Sequence, residues 1–112
     1  LTRLVGTSRA RELMFTCDGV DAARCEAIGL VNRVVPDDRL QAEAFALAKS
    51  IAEGPTIAIR YMKDNLDEAL MFDFATARDH EAERMIRTQV TADHKEAVQA
   101  FIEKRKPVFS GH

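Results

Sequence analysis

One short stretch sets the strongest limit on what this chain can fold into. Leu30–Val35 is rich in β-branched residues and is followed by Pro36, a pattern that predicts a strand or an extended segment. No second stretch of this kind occurs, and a strand needs partners to form a sheet. The sequence therefore predicts a mainly α-helical chain with one short extended segment, whose pairing partner would have to lie elsewhere.

Two short helices are predicted before that segment. Thr7 or Ser8 is a suitable N-cap for the first helix, and Asp21 is a good N-cap for the second, Ala22–Ile28. Gly29 is well placed to end the second helix, because glycine adopts the left-handed conformation that often follows a helix. The apolar face predicted for the first helix consists of Ala10, Leu13 and Met14.

Four helices in series are predicted after Pro36. Asp37 or Asp38 would cap the first, Pro55 would occupy the first position of the second, and Thr91 would cap the last. Each helix carries an apolar stripe at helical spacing, which we expect to face inward. The stripes are Leu40, Ala44, Leu47 and Ile51; Ile59, Met62, Leu66 and Leu70; Phe72, Ala75, Ala82, Met85, Ile86 and Val90; and Ala97, Val98, Phe101 and Ile102.

No arrangement of side chains predicts a catalytic centre within the chain. There is no nucleophile motif, no glycine-rich phosphate loop and no zinc-binding helix motif. His80 and His94 lack a third metal ligand at suitable spacing, so both are interpreted as solvated residues on helix faces. A solvent-exposed helix face is also the interpretation for Asp64, Asp67 and Glu68. The predicted outer face of the third long helix consists of Asp79, Glu81, Glu83, Arg84 and Arg87.

Composition excludes several classes of function. The net charge of −2 predicts no nucleic-acid partner, and no apolar run approaches the ~20 residues of a membrane span. Cys17 and Cys25 fit no metal or redox spacing and are interpreted as free thiols. Free thiols are typical of a reducing compartment, and we therefore expect a cytoplasmic protein.

The basic end of the last helix admits two interpretations. Lys104, Arg105 and Lys106 would complement the negative end of the helix dipole, which is the interpretation that the pattern alone favours. Alternatively, Lys104 would contact a phosphate, because Phe101 lies three residues before it and hence on the same face. An aromatic ring beside a cation could cover a flat, phosphorylated ligand.

Several stretches resemble the crotonase superfamily, the enoyl-CoA hydratases and isomerases. They follow one another in the superfamily's order and together extend over essentially all 112 residues. These stretches are Leu4-Val5-Gly6, Ala10-Arg11-Glu12-Leu13, Thr16, Asp21-Ala22, Ile28–Val35, Gly54–Ala58 with Lys63, Asp93-His94-Lys95-Glu96, and Ala100–Gly111.

The resemblance implies the helical C-terminal region of a crotonase-like (ClpP/crotonase) α/β spiral fold. Residues 1–36 would be the end of the core, and residues 37–112 a C-terminal helical oligomerisation region. The implied reaction is hydration or double-bond shift of an enoyl-CoA thioester, with the catalytic residues upstream of Leu1 and none in this chain. The alternative is a stand-alone helical assembly module without catalysis.

The resemblance also implies a role for the last helix. Phe101 and Lys104 match residues that contact the CoA portion of the substrate, in the active site of a neighbouring subunit. The implied ligand is a CoA thioester bound as substrate, with no covalently bound cofactor and no metal. The implied assembly is a homo-oligomer, a trimer or a hexamer.

Overall fold

The computed structural model describes residues 1–112 and contains seven α-helices and no β-strand, so the mainly α prediction is confirmed. The chain divides into two compact units, Leu1–Ala44 and Phe45–His112. A 3₁₀ turn at Asp37–Arg39 leads directly into the fourth helix. The helices are α1 (Thr2–Val5), α2 (Thr7–Thr16), α3 (Ala22–Ala27), α4 (Leu40–Ala52), α5 (Thr56–Glu68), α6 (Phe74–Gln89) and α7 (Ala92–Ile102).

The segment Leu30–Val35 forms no strand, so the strand interpretation of this stretch is wrong. Residues 30–32 bend, and residues 33–36 have no regular structure. The Val34 N–H donates to the Glu26 carboxylate at 3.0 Å rather than to a neighbouring strand. The physical reason is the absence of a partner strand, without which β-branched residues gain nothing from extended pairing.

The first unit is built around a small apolar core. Val5, Ala10 and Ile28 are buried, and Leu13 and Leu30 pack against them. The predicted apolar face of α2 is thus confirmed at positions 10 and 13, whereas Met14 is exposed. The capping prediction for α2 is wrong, because the helix already begins at Thr7 and Gly6 precedes it without any side-chain cap.

Both ends of α3 follow the sequence prediction. The Asp21 carboxylate accepts the Arg24 N–H at 2.7 Å, which satisfies one of the free donors at the start of the helix. Gly29 has φ of 75° just after the helix, and the Leu30 N–H donates to the Cys25 carbonyl at 2.9 Å. This is the left-handed helix ending in which glycine is strongly favoured.

The starts of the later helices agree with the prediction in part. Thr91 caps α7 as predicted, its hydroxyl accepting the His94 N–H at 3.1 Å. Pro55 immediately precedes α5, one residue earlier than predicted. Asp37 and Asp38 lie in the 3₁₀ turn and do not cap α4, which begins at Leu40.

Most of the predicted apolar stripes face solvent, and the prediction that they point inward is wrong for this chain. Half-buried positions of α6 are mostly polar and recur at helical spacing: Thr76, Ala77, His80, Arg84 and Thr88. The apolar residues occupy the other face, where nothing within the chain covers them. Exposed members of the predicted stripes are Leu40, Leu47, Ile51, Met62, Leu66, Leu70, Phe72, Met85, Ile86, Val90, Val98, Phe101 and Ile102.

The end of α3 provides a test of the backbone argument. A Cβ added at Gly29 would meet no atom within 4 Å, so Gly29→Ala changes only the backbone preference. We expect this variant to lower the free energy of unfolding by about 1 kcal/mol, the cost of a left-handed conformation for a residue with a Cβ.

The matched control is Gly19→Ala. Gly19 also has open space around it but does not have a left-handed φ. We expect its free energy of unfolding to change by no more than about 0.5 kcal/mol. Urea unfolding followed by circular dichroism measures both variants, and equal effects would contradict the argument.

Candidate functional site

The last turn of α7 presents Phe101 to solvent. Its side chain is 85% exposed, although it was predicted to belong to an inward stripe. The inner side of α7 is formed instead by Asp93 and Ala100, which are buried, and by Glu96 and Ala97, which are half-buried. Phe101 therefore contributes little to packing within the chain and is free to contact a ligand or another protein surface.

Lys104 follows α7 in a backbone conformation that is rare for a residue with a side chain. Its φ is 55°, in the left-handed region. The Lys104 N–H donates to the Phe101 carbonyl at 3.2 Å, and the Arg105 N–H donates to the Ala100 carbonyl at 3.0 Å. This hydrogen-bond pattern is a common helix ending, in which glycine usually occupies the left-handed position. For lysine the left-handed conformation costs about 1 kcal/mol.

The Lys104 ammonium is unpaired. The side chain is exposed and takes part in none of the ion pairs of the chain. An unpaired ammonium on an exposed turn is available to an anionic group, and a phosphate is a suitable partner for such a point charge.

An ion pair holds the residue next to Lys104. Arg105 binds both carboxylate oxygens of Glu96, with Nη1–Oε1 and Nη2–Oε2 distances of 2.5 and 2.9 Å. Glu96 Oε1 also accepts the Val108 N–H at 2.9 Å. Hydrogen bonds from Arg105 and Val108 lower the pKa of Glu96 to about 2, and the same carboxylate raises the pKa of Arg105.

The residues after this turn, Pro107–His112, are here named the C-terminal strap. Asp93, which is only 2% exposed, accepts hydrogen bonds from the Ser110 N–H at 2.7 Å and from the Gly111 N–H at 3.0 Å. The Asp93 N–H in turn donates to the His112 carbonyl at 3.0 Å. The strap is therefore bonded to the first turn of α7.

A second polar cluster joins α5 to α6. Arg84 binds the Glu68 carboxylate at 2.5 and 2.8 Å and the Asn65 side-chain oxygen at 2.6 Å. His80 Nδ1 lies 2.7 Å from the same carboxylate. The interpretations of His80 and Arg84 as outward residues, and of Glu68 as part of a solvent-exposed helix face, are therefore wrong. All three are partly buried where the two helices meet.

This second cluster is better suited to structure than to catalysis. Hydrogen bonds from Arg84 and His80 lower the pKa of Glu68 to about 2, so its carboxylate is ionised at neutral pH and cannot act as a general acid.

No group of three or more His, Cys, Asp or Glu side chains is placed to hold a metal ion. None of the helices has the length and apolarity that crossing a membrane would require.

Sequence reasoning missed the roles of Asp93 and Glu96. Both residues were noted only as part of a family-like stretch, because their partners lie 9 to 18 positions further along the chain. A contact at that separation leaves no helical periodicity in the sequence. The acidic pair at spacing three on a capped helix, followed by Arg105 and Ser110-Gly111, is the only signal that was available.

The family model described as enoyl-CoA hydratase/isomerase matches residues 1–112. Short-chain-enoyl-CoA hydratase of Clostridioides difficile is 42% identical over 101 residues, which is 90% of this chain and 65% of that protein. Crotonyl-CoA hydratase of Syntrophomonas wolfei is 37% identical over 109 residues, 97% of this chain and 42% of that protein. The chain belongs to the enoyl-CoA hydratase/isomerase family, and the resemblance to the crotonase superfamily is confirmed.

Solved structures agree with this assignment. Enoyl-CoA hydratase of Bacillus anthracis superposes with a TM-score of 0.93 at 34% identity, covering 99% of this chain and 43% of that one. Enoyl-CoA hydratase of Mycobacterium smegmatis gives 0.89 at 30% identity, covering 96% and 42%. The chain thus spans about two fifths of the length of these structures.

The Glu68 cluster predicts how stability depends on pH. The pKa of Glu68 is lowered from its ordinary value of 4.5 to about 2 in the folded chain, so the unfolded chain binds a proton first as the pH falls. The stabilisation that the ionised Glu68 carboxylate gives the fold is complete above pH 4.5 and is lost as the pH falls through about 2. We expect Glu68→Gln to reduce the dependence of the free energy of unfolding on pH within this window.

Some dependence will remain in that variant, because the pKa of Glu96 is lowered in the same direction. The control is Glu81→Gln on α6, which should leave the wild-type profile unchanged because the exposed Glu81 carboxylate takes part in none of the ion pairs of the chain. Urea unfolding at a series of pH values between 2 and 7 measures the profiles. Parallel profiles for wild type and Glu68→Gln would show that the cluster does not stabilise the fold.

Proposed function

We propose that these residues are the C-terminal part of an acyl-CoA enzyme that hydrates enoyl-CoA thioesters. The match of the family model over the whole chain carries the proposal, together with relatives named as short-chain-enoyl-CoA and crotonyl-CoA hydratases. A double-bond shift of the same substrates is the related reaction within the family name. The chain spans only part of these relatives, and no catalytic residue is assigned within it.

The reaction would proceed through an enolate of the thioester. Water adds its oxygen to the β-carbon of the double bond, and a proton reaches the α-carbon. Two backbone N–H groups would stabilise the negative charge on the thioester oxygen, and carboxylates would activate the water and move the proton. These groups would lie upstream of Leu1. The Glu68 carboxylate is not a candidate, because Arg84 and His80 occupy it.

We assign Phe101 and Lys104 to the CoA portion of the substrate. Phe101 offers an exposed aromatic surface, and Lys104 offers an unpaired ammonium on the turn that follows it. The ring would cover an apolar or flat part of CoA, while the ammonium would contact a phosphate. The chain would need no metal and no covalently bound cofactor for this role.

The exposed apolar side chains support a homo-oligomer, which we propose to be a trimer or hexamer assembled through residues 37–112. Phe45, Phe74 and Val90 are each more than 70% exposed. Many large apolar side chains exposed on a small protein usually mark an interface. The alternative of a non-catalytic assembly module shares this surface but does not account for the match to the hydratases. We further propose a cytoplasmic location for the enzyme.

The CoA contact is tested by titrating CoA into the chain and measuring the dissociation constant by NMR. We expect Lys104→Ala to weaken binding about tenfold, because a charge-assisted contact to phosphate is lost. Lys95→Ala is the matched control, since it removes an exposed positive charge from α7, the helix that precedes Lys104. Equal effects of the two substitutions would mean that only the net charge matters, and the assignment of Lys104 would fail.

Activity is tested in two steps. The chain alone should not hydrate crotonyl-CoA above a heat-killed control, and clear turnover would contradict the assignment of the catalytic groups to other residues. A chimera then replaces the matched region of the Clostridioides difficile enzyme with this chain. We expect the chimera to hydrate crotonyl-CoA. A folded chimera without activity would contradict the proposed function.

A further inference from the structure

The ion pair between Arg105 and Glu96 lies where it restrains Lys104. Arg105 is the next residue in the chain, and both of its terminal nitrogens are bonded to the two oxygens of one carboxylate. Such a two-point contact fixes the orientation of the guanidinium as well as its distance. The backbone of residue 105 is consequently held close to the middle of α7.

Further bonds restrain the chain on both sides of Lys104. Arg105 Nε donates to Glu103 at 2.6 Å, and Glu96 accepts the Val108 N–H at 2.9 Å. Residues before and after Lys104 are therefore tied to one network. The Lys104 side chain is not part of it.

This arrangement accounts for the unusual backbone of Lys104. A lysine with φ of 55° is strained, and a strained residue persists only where its surroundings over-determine it. Without the network, a right-handed conformation would be preferred, and residues 104–106 would be free to continue or fray the helix. The backbone at Lys104 would then no longer set one direction for the start of its side chain.

We propose that Glu96 and Arg105 are positioning residues that hold the turn at Lys104 and so direct its side chain, just after Phe101, toward a phosphate of CoA. This inference rests on the proposed function, because it takes CoA as the ligand of Lys104. Neither Glu96 nor Arg105 needs to touch the ligand, since both are already bonded to each other. The alternative is an ion pair that only stabilises the end of α7.

The 112-residue chain with CoA as the probe tests the proposal. We expect Glu96→Gln to raise the dissociation constant of CoA about fivefold, because a neutral amide cannot hold the guanidinium at two points. The Lys104 ¹³Cα shift should move toward its helical value in the same variant. The control is Glu83→Gln, which breaks the exposed Glu83–Arg87 pair on α6 and should change neither reading.

A substitution at Lys104 separates positioning from stability. Lys104→Gly suits the left-handed conformation and should raise the melting temperature, yet it should weaken CoA binding because the ammonium is lost. If position 104 served the turn alone, this variant would melt at a higher temperature with unchanged binding. That outcome would overturn both the proposal and the assignment of Lys104.

A double substitution tests whether Glu96 acts through Lys104. In the Lys104→Ala background, Glu96→Gln should cause no further loss of CoA affinity. If Lys104→Ala weakens binding but Glu96→Gln does not, the positioning role is overturned while the proposed function stands. If the wild-type chain does not bind CoA, the positioning role and the assignment of Lys104 are both overturned, and the chimera alone then decides the proposed function.

A second variant covers the case in which Glu96→Gln fails to fold. Arg105→Lys keeps the charge but loses the two-point contact, and it should reproduce the fivefold loss of affinity and the shift at Lys104. Loss of folding in both variants would count against the proposal. The pair would then be required by the fold as a whole, not by the placement of one lysine.

Discussion

The buried carboxylate of Asp93 is the interaction on which the C-terminal end of the chain depends. Removing a charged group from water is costly unless donors surround it, and here Ser110 and Gly111 supply them. Because Asp93 lies in the first turn of α7, the chain must reverse after the helix and return along it. The turn that contains Lys104 is the point of reversal. Glu96 bonds to Arg105 and Val108, and Asp93 bonds to Ser110 and Gly111. These bonds together restrain the path of the chain through the turn and the strap.

Helices α5 and α6 pair through a polar cluster, and most large apolar side chains of the second unit are exposed. Glu68, His80 and Arg84 satisfy one another between α5 and α6, which makes this contact specific in geometry but small in apolar burial. Phe74, Met85 and Val90 lie on other faces and remain exposed. Since apolar burial is the main favourable contribution to folding, much of the stability available to this sequence depends on a surface that covers those side chains. This is the physical basis for proposing assembly through residues 37–112.

Local signals in the sequence predicted the helix ends in part, since the caps expected at Thr7 or Ser8 and at Asp37 or Asp38 are not formed. Asp21 and Thr91 were predicted as caps because a side-chain oxygen needs only the N–H groups of the next turn. Gly29 was predicted as a helix ending for a similar reason. Periodicity also located the helices, since α4 to α7 follow the four predicted segments closely.

The direction in which each helix faces is not a local property. An apolar stripe indicates which face of a helix is favoured for burial, but it does not identify the surface that will cover that face. The stripes on α6 and α7 were therefore predicted to face inward, whereas most of their large side chains are exposed. The polar partners of Glu68 lie 12 and 16 residues away, and no spacing rule connects them. For the site, the pattern placed Phe101 and Lys104 on one face, and the family resemblance supplied the ligand. The roles of Asp93 and Glu96 depend on the reversal of the chain and could not be predicted.

The conformation of Lys104 gives the strongest physical argument that its side chain has a function. Glycine would close the same turn with less strain, and the network of Glu96 and Arg105 would be unnecessary for that purpose. Instead the chain maintains a two-point ion pair and a buried carboxylate around a residue that forms no ion pair of its own. Backbone strain that is maintained in this way is characteristic of functional sites, where one side chain must be held in a particular position. The superfamily fold carries several reactions and does not by itself select among them. The phosphates of CoA, the ligand that we propose for Lys104, are anionic whether the reaction is hydration or a double-bond shift, so the proposed role of Lys104 does not depend on that choice.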